Sequence, residues 1–319
     1  MTPDNEKTAI EVRGLAKRFG EVQAVADIDF NVCEGELFGF LGPNGAGKTT
    51  TVRMLTGVLE PNSGTATIQD HDVRTEALLS RAHLGVVPEQ ANVYPDLSVW
   101  QNLMLMAELH GVPRHQRVRE GERLLATVGL ADRKRHKART LSKGLRQRLM
   151  LCAALVTAPE VLFLDEPTSG LDVASARLIR QTVRQLNTEG LTVFLTTHNM
   201  DEAEEICSRV AIINRGRIVA IDTPERLRSA MRSSQYLEVA FVGGQIDVAE
   251  LERLPEMLRV SRENNHLRLY SQQPGRLATE VVRLANAKRL EIAHLCTHKP
   301  SLEDVFLYFT DDHAQEIDQ

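Results

Sequence analysis

The sequence predicts an α/β chain in two parts: a parallel sheet with helices over residues 1–232, and a small α+β domain over 233–319. Three observations predict it. The short apolar runs "LFGFL", "VLFL" and "LTVFL" read as buried strands. The runs are followed by glycine, acidic or hydroxyl residues, the kind found where the strand ends of an open α/β sheet face a ligand. From about Tyr236 the pattern changes to shorter alternating strand and amphipathic helix segments.

The 319 residues suffice for one large or two ordinary domains, and a net charge of −5 gives no sign of a nucleic-acid partner. The N-terminal "MTPDNEKTAIEV" lacks the basic-then-apolar plan of a secretion signal. No apolar run approaches the roughly 20 residues that span a bilayer. The cysteines Cys33, Cys152, Cys207 and Cys296 form no CxxC pair and read as reduced, buried thiols with no zinc role.

Residues 8 to 75 alternate strands and turns and enter a helix after "GELFGFLGPNGAGKTTTVRML". Within it, Gly42 to Thr49 fits GxxxxGK[ST] between a strand and a helix. Gly45 and Gly47 free the backbone so that several N–H groups converge on one phosphate. The helix beginning near Lys48 adds its dipole, Lys48 reaches the β and γ phosphates, and the Thr49 hydroxyl suits Mg²⁺.

Residues 98 to 157 read as a helical lobe, with apolar residues at helical spacing in "VWQNLMLMAELHG" and "REGERLLATVGL". The basic stretch Arg133 to Arg139 reads as a solvated face. "LSKGLRQRL", Leu141 to Leu149, opens a helix and holds an anion-binding pattern of its own.

"EVLFLDEPTSGLD" is a strand ending in two carboxylates. Asp165 is placed for Mg²⁺ and Glu166 for polarising a water. "LTVFLTTHNMDEAE" is a parallel strand that delivers His198 toward a γ-phosphate. "AIINRGRIVAID" is a hairpin around Arg215-Gly216. Thr223 caps a further helix with Pro224 in its first turn.

The order of these motifs resembles the ATP-binding subunits of ABC transporters, over roughly residues 8 to 230, about two-thirds of the chain. The resemblance implies a P-loop NTPase core of the ABC ATPase type and assigns the motifs. "GPNGAGKT" is the Walker A loop, "VLFLDEP" the Walker B strand, "SGLD" the D-loop, and "LSKGLRQR" a variant of the LSGGQ signature. It implies that ATP is held by Phe19, Gly42, Pro43, Asn44, Gly45, Ala46, Gly47, Lys48, Thr49 and Thr50. Glu89 or Gln90 stands in the glutamine loop, and Ser142, Gly144 and Asp172 come from the signature and D-loop. Lys48, Glu166 and His198 are the implied catalytic set, and Thr49, Asp165 and Glu89 the implied Mg²⁺ ligands.

Ser142 and Gly144 are expected to contact the γ-phosphate held by a second subunit, so that ATP joins a head-to-tail homodimer. The plain alternative, a helix N-cap, explains Ser142 but leaves Gly144 without a reason. Two departures from the family pattern stand out. Lys143 and Leu145 replace the third and fifth residues of LSGGQ, and the glutamine position falls on Glu89 with Gln90 next. The LSKG variant and the tail "PSLEDVFLYFTD" are similar to drug- and polysaccharide-exporter subunits of the daunorubicin-resistance type.

The expected activity is therefore ATP hydrolysis at the cytoplasmic face of the cell membrane by a peripheral subunit. A separate transmembrane permease would dock near "NVYPDL" through Tyr94 and Pro95, and no nucleic acid is expected. The competing reading is a soluble ABC ATPase acting on nucleic acid or ribosomes. Relatives of that kind carry two nucleotide domains or a long coiled coil, whereas here one Walker A loop lies about 116 residues before Asp165.

The remaining segment reads as a βαββαβ domain of about 65 residues, with "DVAELERLPEML" as its first helix. It offers no glycine loop, no catalytic carboxylate pair and no convergent titratable cluster, so it is expected to brace the assembly. The last helix, "SLEDVFLYFT", aligns Leu302, Val305, Phe306 and Phe309 on one face, which either braces or closes the domain's own core.

Overall fold

The computed structural model describes residues 7–230, 235–242, 247–263, 266–298 and 300–310. They form two compact units that divide after Thr223.

The first unit runs β1 (Thr8–Phe19), β2 (Val22–Cys33), β3 (Leu37–Leu41), α1 (Lys48–Leu55), β4 (Ser63–Ile68), β5 (His71–Asp72), α2 (Ala77–Ala82) and β6 (Leu84–Val87). The helical lobe follows as α3 (Val99–Leu109), α4 (Arg114–Thr127) and α5 (Lys143–Leu155). Then come β7 (Val161–Asp165), α6 (Val173–Thr188), β8 (Thr192–Thr197), α7 (Met200–Ile206), β9 (Arg209–Asn214) and β10 (Arg217–Asp222).

The main sheet has the order β10-β9-β3-β8-β7-β6. All neighbours are parallel except the β9–β10 hairpin. Every residue of β3, β7 and β8 is buried, which is why these strands are unbroken apolar runs. An antiparallel sheet, β2-β1-β4-β5, packs against it. Phe30 of β2 joins Phe38, Phe40, Phe163 and Phe194 in a cluster whose ring centroids lie 5.3–5.9 Å apart. Such aromatic pairs add about 0.5–1.5 kcal/mol each beyond their buried area. The parallel strands thus carry their C-terminal ends, and the loops that follow, on a rigid base.

The segment between β6 and β7 is mainly helical. Ser98 and Gln101 form a reciprocal capping box at the start of α3. Gly121 lets α4 approach α3, because a Cβ there would lie 2.6 Å from Met104 Cε. The basic stretch 133–139 is largely exposed, with Lys134 over the Trp100 ring at 3.7 Å.

The second unit contains α8 (Pro224–Ala230), β11 (Tyr236–Val242), α9 (Val248–Leu251), β12 (Arg259–Glu263), β13 (His266–Tyr270), α10 (Pro274–Ala287), β14 (Glu291–His298) and α11 (Leu302–Thr310). Its antiparallel sheet has the order β12-β13-β11-β14. This is the split βαββαβ arrangement of ferredoxin-like domains. Leu237, Val239, Leu251, Leu269, Leu277 and Val281 form its core. Leu302 and Val305 are buried and α11 packs on α8, so that apolar face is used within the unit. This contact also draws α8 into the second unit, and the division falls earlier than residue 232.

Two expectations are corrected, and one strand is new. The first helix is only the four residues of α9, because Pro255 removes a backbone donor and forces its predecessor away from helical angles. The strand β12, "RVSRE", was not singled out in the sequence because Val260 is its sole apolar residue. Of the four thiols only Cys152 and Cys207 are buried. Burial pushes both thiols' pKa values up, which keeps them protonated and inert. Cys33 is half-buried and Cys296 is exposed, the latter because β14 is an edge strand.

Candidate active site

The loop between β3 and α1 is shaped by its glycines. Gly47 precedes α1 with φ 113°, a region open to glycine, and a Cβ there would lie 2.5 Å from the Ala24 carbonyl. Gly42 is needed for a different reason: its Cβ would sit 2.3 Å from the Ile213 carbonyl of β9. The β9–β10 turn holds the loop from behind, with Gly216 N–H donating to the Ala46 carbonyl at 2.9 Å. Lys48 is folded into the loop, its Nζ donating to the carbonyls of Gly42 at 2.7 Å and Pro43 at 3.2 Å.

The ends of β7 and β8 face this loop. Asp165 Oδ1 accepts from Thr196 Oγ1 at 2.6 Å and from Thr49 Oγ1 at 3.3 Å. Glu166 has φ 50°, uncommon for a residue with a side chain, and its N–H donates to the Thr196 carbonyl at 3.1 Å. Its carboxylate is clamped on both sides: Oε1 lies 3.1 Å from Lys48 Nζ, and Oε2 lies 2.7 Å from His198 Nδ1. A cleft of ≈ 340 Å³ is lined by Ala24, Asn44, Gly45, Gly47, Lys48, Thr49, Thr50, Glu89, Glu166, Ser169 and His198. A glycine loop opening a helix, a lysine, a hydroxyl–carboxylate pair and a histidine–glutamate pair make this cleft suited to a polyphosphate and to proton transfer beside it.

A second locus forms at the start of α5 and α6. Ser142 caps α5 by accepting from Leu145 N–H at 3.3 Å. Gly144 is buried against α6, where a Cβ would lie 2.5 Å from Ser175 Oγ. Asp172 caps α6, accepting from the N–H and Oγ of Ser175, each at 2.8 Å. Those hydrogen bonds, from the Ser175 backbone first, hold the Asp172 carboxyl below its ordinary range. Lys143 crosses to the D-loop and donates to the Ser169 carbonyl at 2.6 Å.

The "ABC transporter" family model matches residues 25–169. A Nod factor export ATP-binding protein of Paraburkholderia xenovorans is 37% identical over 97% of this chain and 99% of its own. The daunorubicin/doxorubicin resistance ATP-binding protein of Streptomyces peucetius is 35% identical over 97% and 94%. The chain belongs to the ABC transporter ATP-binding proteins.

Solved ABC structures carry the same fold. The cbiO1 protein of Clostridium perfringens, part of an ABC transporter complex, matches with a TM-score of 0.65 at 26% identity, over 71% of this chain and 92% of its own. A dimeric ATP-binding cassette in a post-hydrolysis state, bound to ADP and phosphate, matches with a TM-score of 0.61 at 25% identity over 67% and 98%. The protein is thus an ATPase of the exporter type that binds ATP. The reading as a nucleic-acid or ribosome ATPase is not favoured.

This ABC subunit brings together Asn44, Gly45, Gly47, Lys48, Thr49, Thr50, Glu89, Glu166 and His198 around one cleft, with Asp165 bonded to Thr49 beside it. Gly42, Pro43 and Ala46 shape the loop through their backbone. Phe19 stands exposed at the end of β1 with Lys17 Nζ 5.5 Å from its ring centroid, and is not among the cleft-lining residues. Gln90 is exposed and does not line the cleft either, whereas Glu89 does. Ser142, Gly144 and Asp172 sit in the second locus.

Three contributors escaped the sequence reading. Thr196 looked like part of a strand, yet its hydroxyl holds Asp165. Lys143 looked like a lost glycine, yet it ties the signature helix to the D-loop. Glu202 on α7 is buried beside the site, and burial raises its pKa. The run "DEAEE" following His198 was the available signal for it.

Proposed function

We propose that this chain is the energy-coupling subunit of a membrane exporter, and that two copies close head to tail on two MgATP molecules. The observation that carries this is the separation of the two loci. The cleft holds the lysine, glutamate and histidine, while the Ser142–Gly144 helix start lies outside the cleft lining of its own chain. A second copy can bring that helix start to the γ-phosphate, with the positive end of the α5 dipole behind it.

In this reading the loop N–H groups and Lys48 hold the β and γ phosphates, and phosphate replaces Glu166 as the counter-ion of Lys48. Thr49 and Asp165 offer the hard oxygen donors that Mg²⁺ takes, with Glu89 a further oxygen at the cleft wall. When bound, Mg²⁺ neutralises charge developing on the phosphates. Glu166 accepts the proton of the attacking water, and His198 orients Glu166 while its other ring nitrogen faces a phosphate oxygen.

Gln147 of α5 donates to the Pro88 carbonyl at 3.4 Å, next to Glu89, which supports coupling between the cleft and the helical lobe. Tyr94 and Pro95 are exposed, and buried Asn102 fixes their loop by bonding to both the N–H and the carbonyl of Tyr94. That rigid, exposed loop is the proposed dock for a separate permease, which would hold the subunit at the cytoplasmic face of the membrane. Among the described residues no helix is long and apolar enough to cross a membrane itself. One relative is named for Nod factor export and another for daunorubicin/doxorubicin resistance, which supports an exporter whose cargo is selected by the permease.

Ser142→Arg tests the reading. A long cation at this helix start blocks closure, so turnover falls sharply while the nucleotide affinity of the monomer stays near parental. Equal loss of both would mean that Ser142 is a structural cap and nothing more.

A further inference from the structure

The outer face of the second unit's sheet gathers histidines from two strands around one carboxylate. Glu238 sits on the central strand β11, with β13 on one side and β14 on the other. On β14, Cys296 pairs in register with Glu238, so His294 and His298, two residues either side, flank it on the same face. On β13, Arg268 pairs with Glu238 and His266 lies two residues away, again on that face.

The polar atoms converge. His266 Nδ1 is 3.0 Å from Glu238 Oε1, His294 Nε2 is 3.6 Å from the same oxygen, and His298 Nε2 is 3.8 Å from Oε2. One ligand atom each from Glu238, His294 and His298 lies within 4.8 Å of the other two. Four tetrahedral ligands about 2.0–2.1 Å from zinc stand roughly 3.3 Å apart, so small rotamer changes close this set on an ion.

A second observation points the same way. His298 Nε2 is screened from solvent yet has no hydrogen-bond partner. Buried nitrogens without partners are rare and call for an explanation such as an ion. The His298 ring is also held in place, stacked on Tyr236 with centroids 4.8 Å apart.

We propose that Glu238, His294 and His298 form a site for a divalent transition-metal ion of the zinc class, with His266 positioning the Glu238 carboxylate. Two imidazoles and one carboxylate favour Zn²⁺ and its neighbours over Mg²⁺ or Ca²⁺, which prefer all-oxygen shells. Three protein ligands leave a position for solvent or an added ligand. The ion links edge strand β14 to the centre of the sheet. The proposal is independent of the ATP cleft.

The test uses full-length, tag-free protein stripped with chelator, carrying Cys296→Ser so that the exposed thiol cannot bind metal. Titration with ZnCl₂ by calorimetry is expected to show one equivalent that His294→Gln/His298→Gln removes. His266→Gln is expected to weaken it about 10- to 100-fold, the effect of losing a group that orients a ligand. The double variant leaves the ATP cleft intact, so zinc held there is common to both proteins. A second readout uses the Cys296→Ser protein without further change: added Co²⁺ gives the visible absorption of a low-coordinate site and is displaced by Zn²⁺. A folded double variant that keeps the parental stoichiometry and affinity overturns the proposal. So does a parental protein that binds no zinc below about 1 mM.

Discussion

Lys48 Nζ lies 3.1 Å from Glu166 Oε1, with both side chains more than nine-tenths buried. The residue read as the phosphate clamp and the residue read as the base therefore neutralise each other. Removing one member of a buried pair leaves an uncompensated charge, at a cost of about 3–5 kcal/mol.

Lys48→Ala is accordingly expected to abolish ATP binding and also to lower the melting temperature of nucleotide-free protein. Adding Glu166→Gln to it restores most of the lost stability without restoring ATP binding. Differential scanning calorimetry of the single and double variants checks this. A Lys48→Ala protein as stable as the parent contradicts the pairing.

Gly144→Ala is expected to push α5 off α6, because the new methyl meets Ser175 Oγ and Cβ at 2.5 and 2.7 Å. Overpacking of this kind costs about 1–3 kcal/mol. Ser175→Gly should relieve it, so a double-mutant cycle on urea-unfolding free energies shows strong coupling. Additive effects would mean that Gly144 is a glycine for a reason other than this contact.

A glycine follows Ser142 at two residues, and contact with Ser175 is one physical reason for it. That contact pairs two helices about thirty residues apart in the chain, so no local pattern reveals it. Strands β3, β7 and β8 were legible because full burial demands apolar residues at each position. The phosphate loop was legible because its glycines answer to backbone geometry. By contrast, β12 is a polar edge strand, and Glu238, His266, His294 and His298 meet only through the strand order β13-β11-β14. The sequence alone suggested no titratable cluster there, and the structure corrects that. Lys143 was read as a departure from a glycine pattern, and only the fold reveals the Ser169 carbonyl within its reach.

Glu202→Gln is expected to change how stability depends on pH. Burial, joined by the charge of Glu166, raises the Glu202 pKa above 4.5, outweighing the opposing Thr197 and Thr168 hydroxyls and Arg180. A raised carboxyl favours the folded state while protonated, and that contribution is lost as pH rises through the raised value. The glutamine variant does not titrate. Its melting temperature relative to the parent should therefore rise from pH 4.5 toward pH 8. A difference that stays constant across this range would show that Glu202 titrates normally.

Glu166→Gln tests the central claim most directly. The substitution removes the base and leaves the phosphate contacts, so ATP should hold two chains closed. Gel filtration coupled to light scattering, with saturating MgATP, is expected to show the variant moving from monomer to dimer. Adding Ser142→Arg should abolish the shift. A folded, ATP-loaded Glu166→Gln protein that remains monomeric would contradict the head-to-tail site.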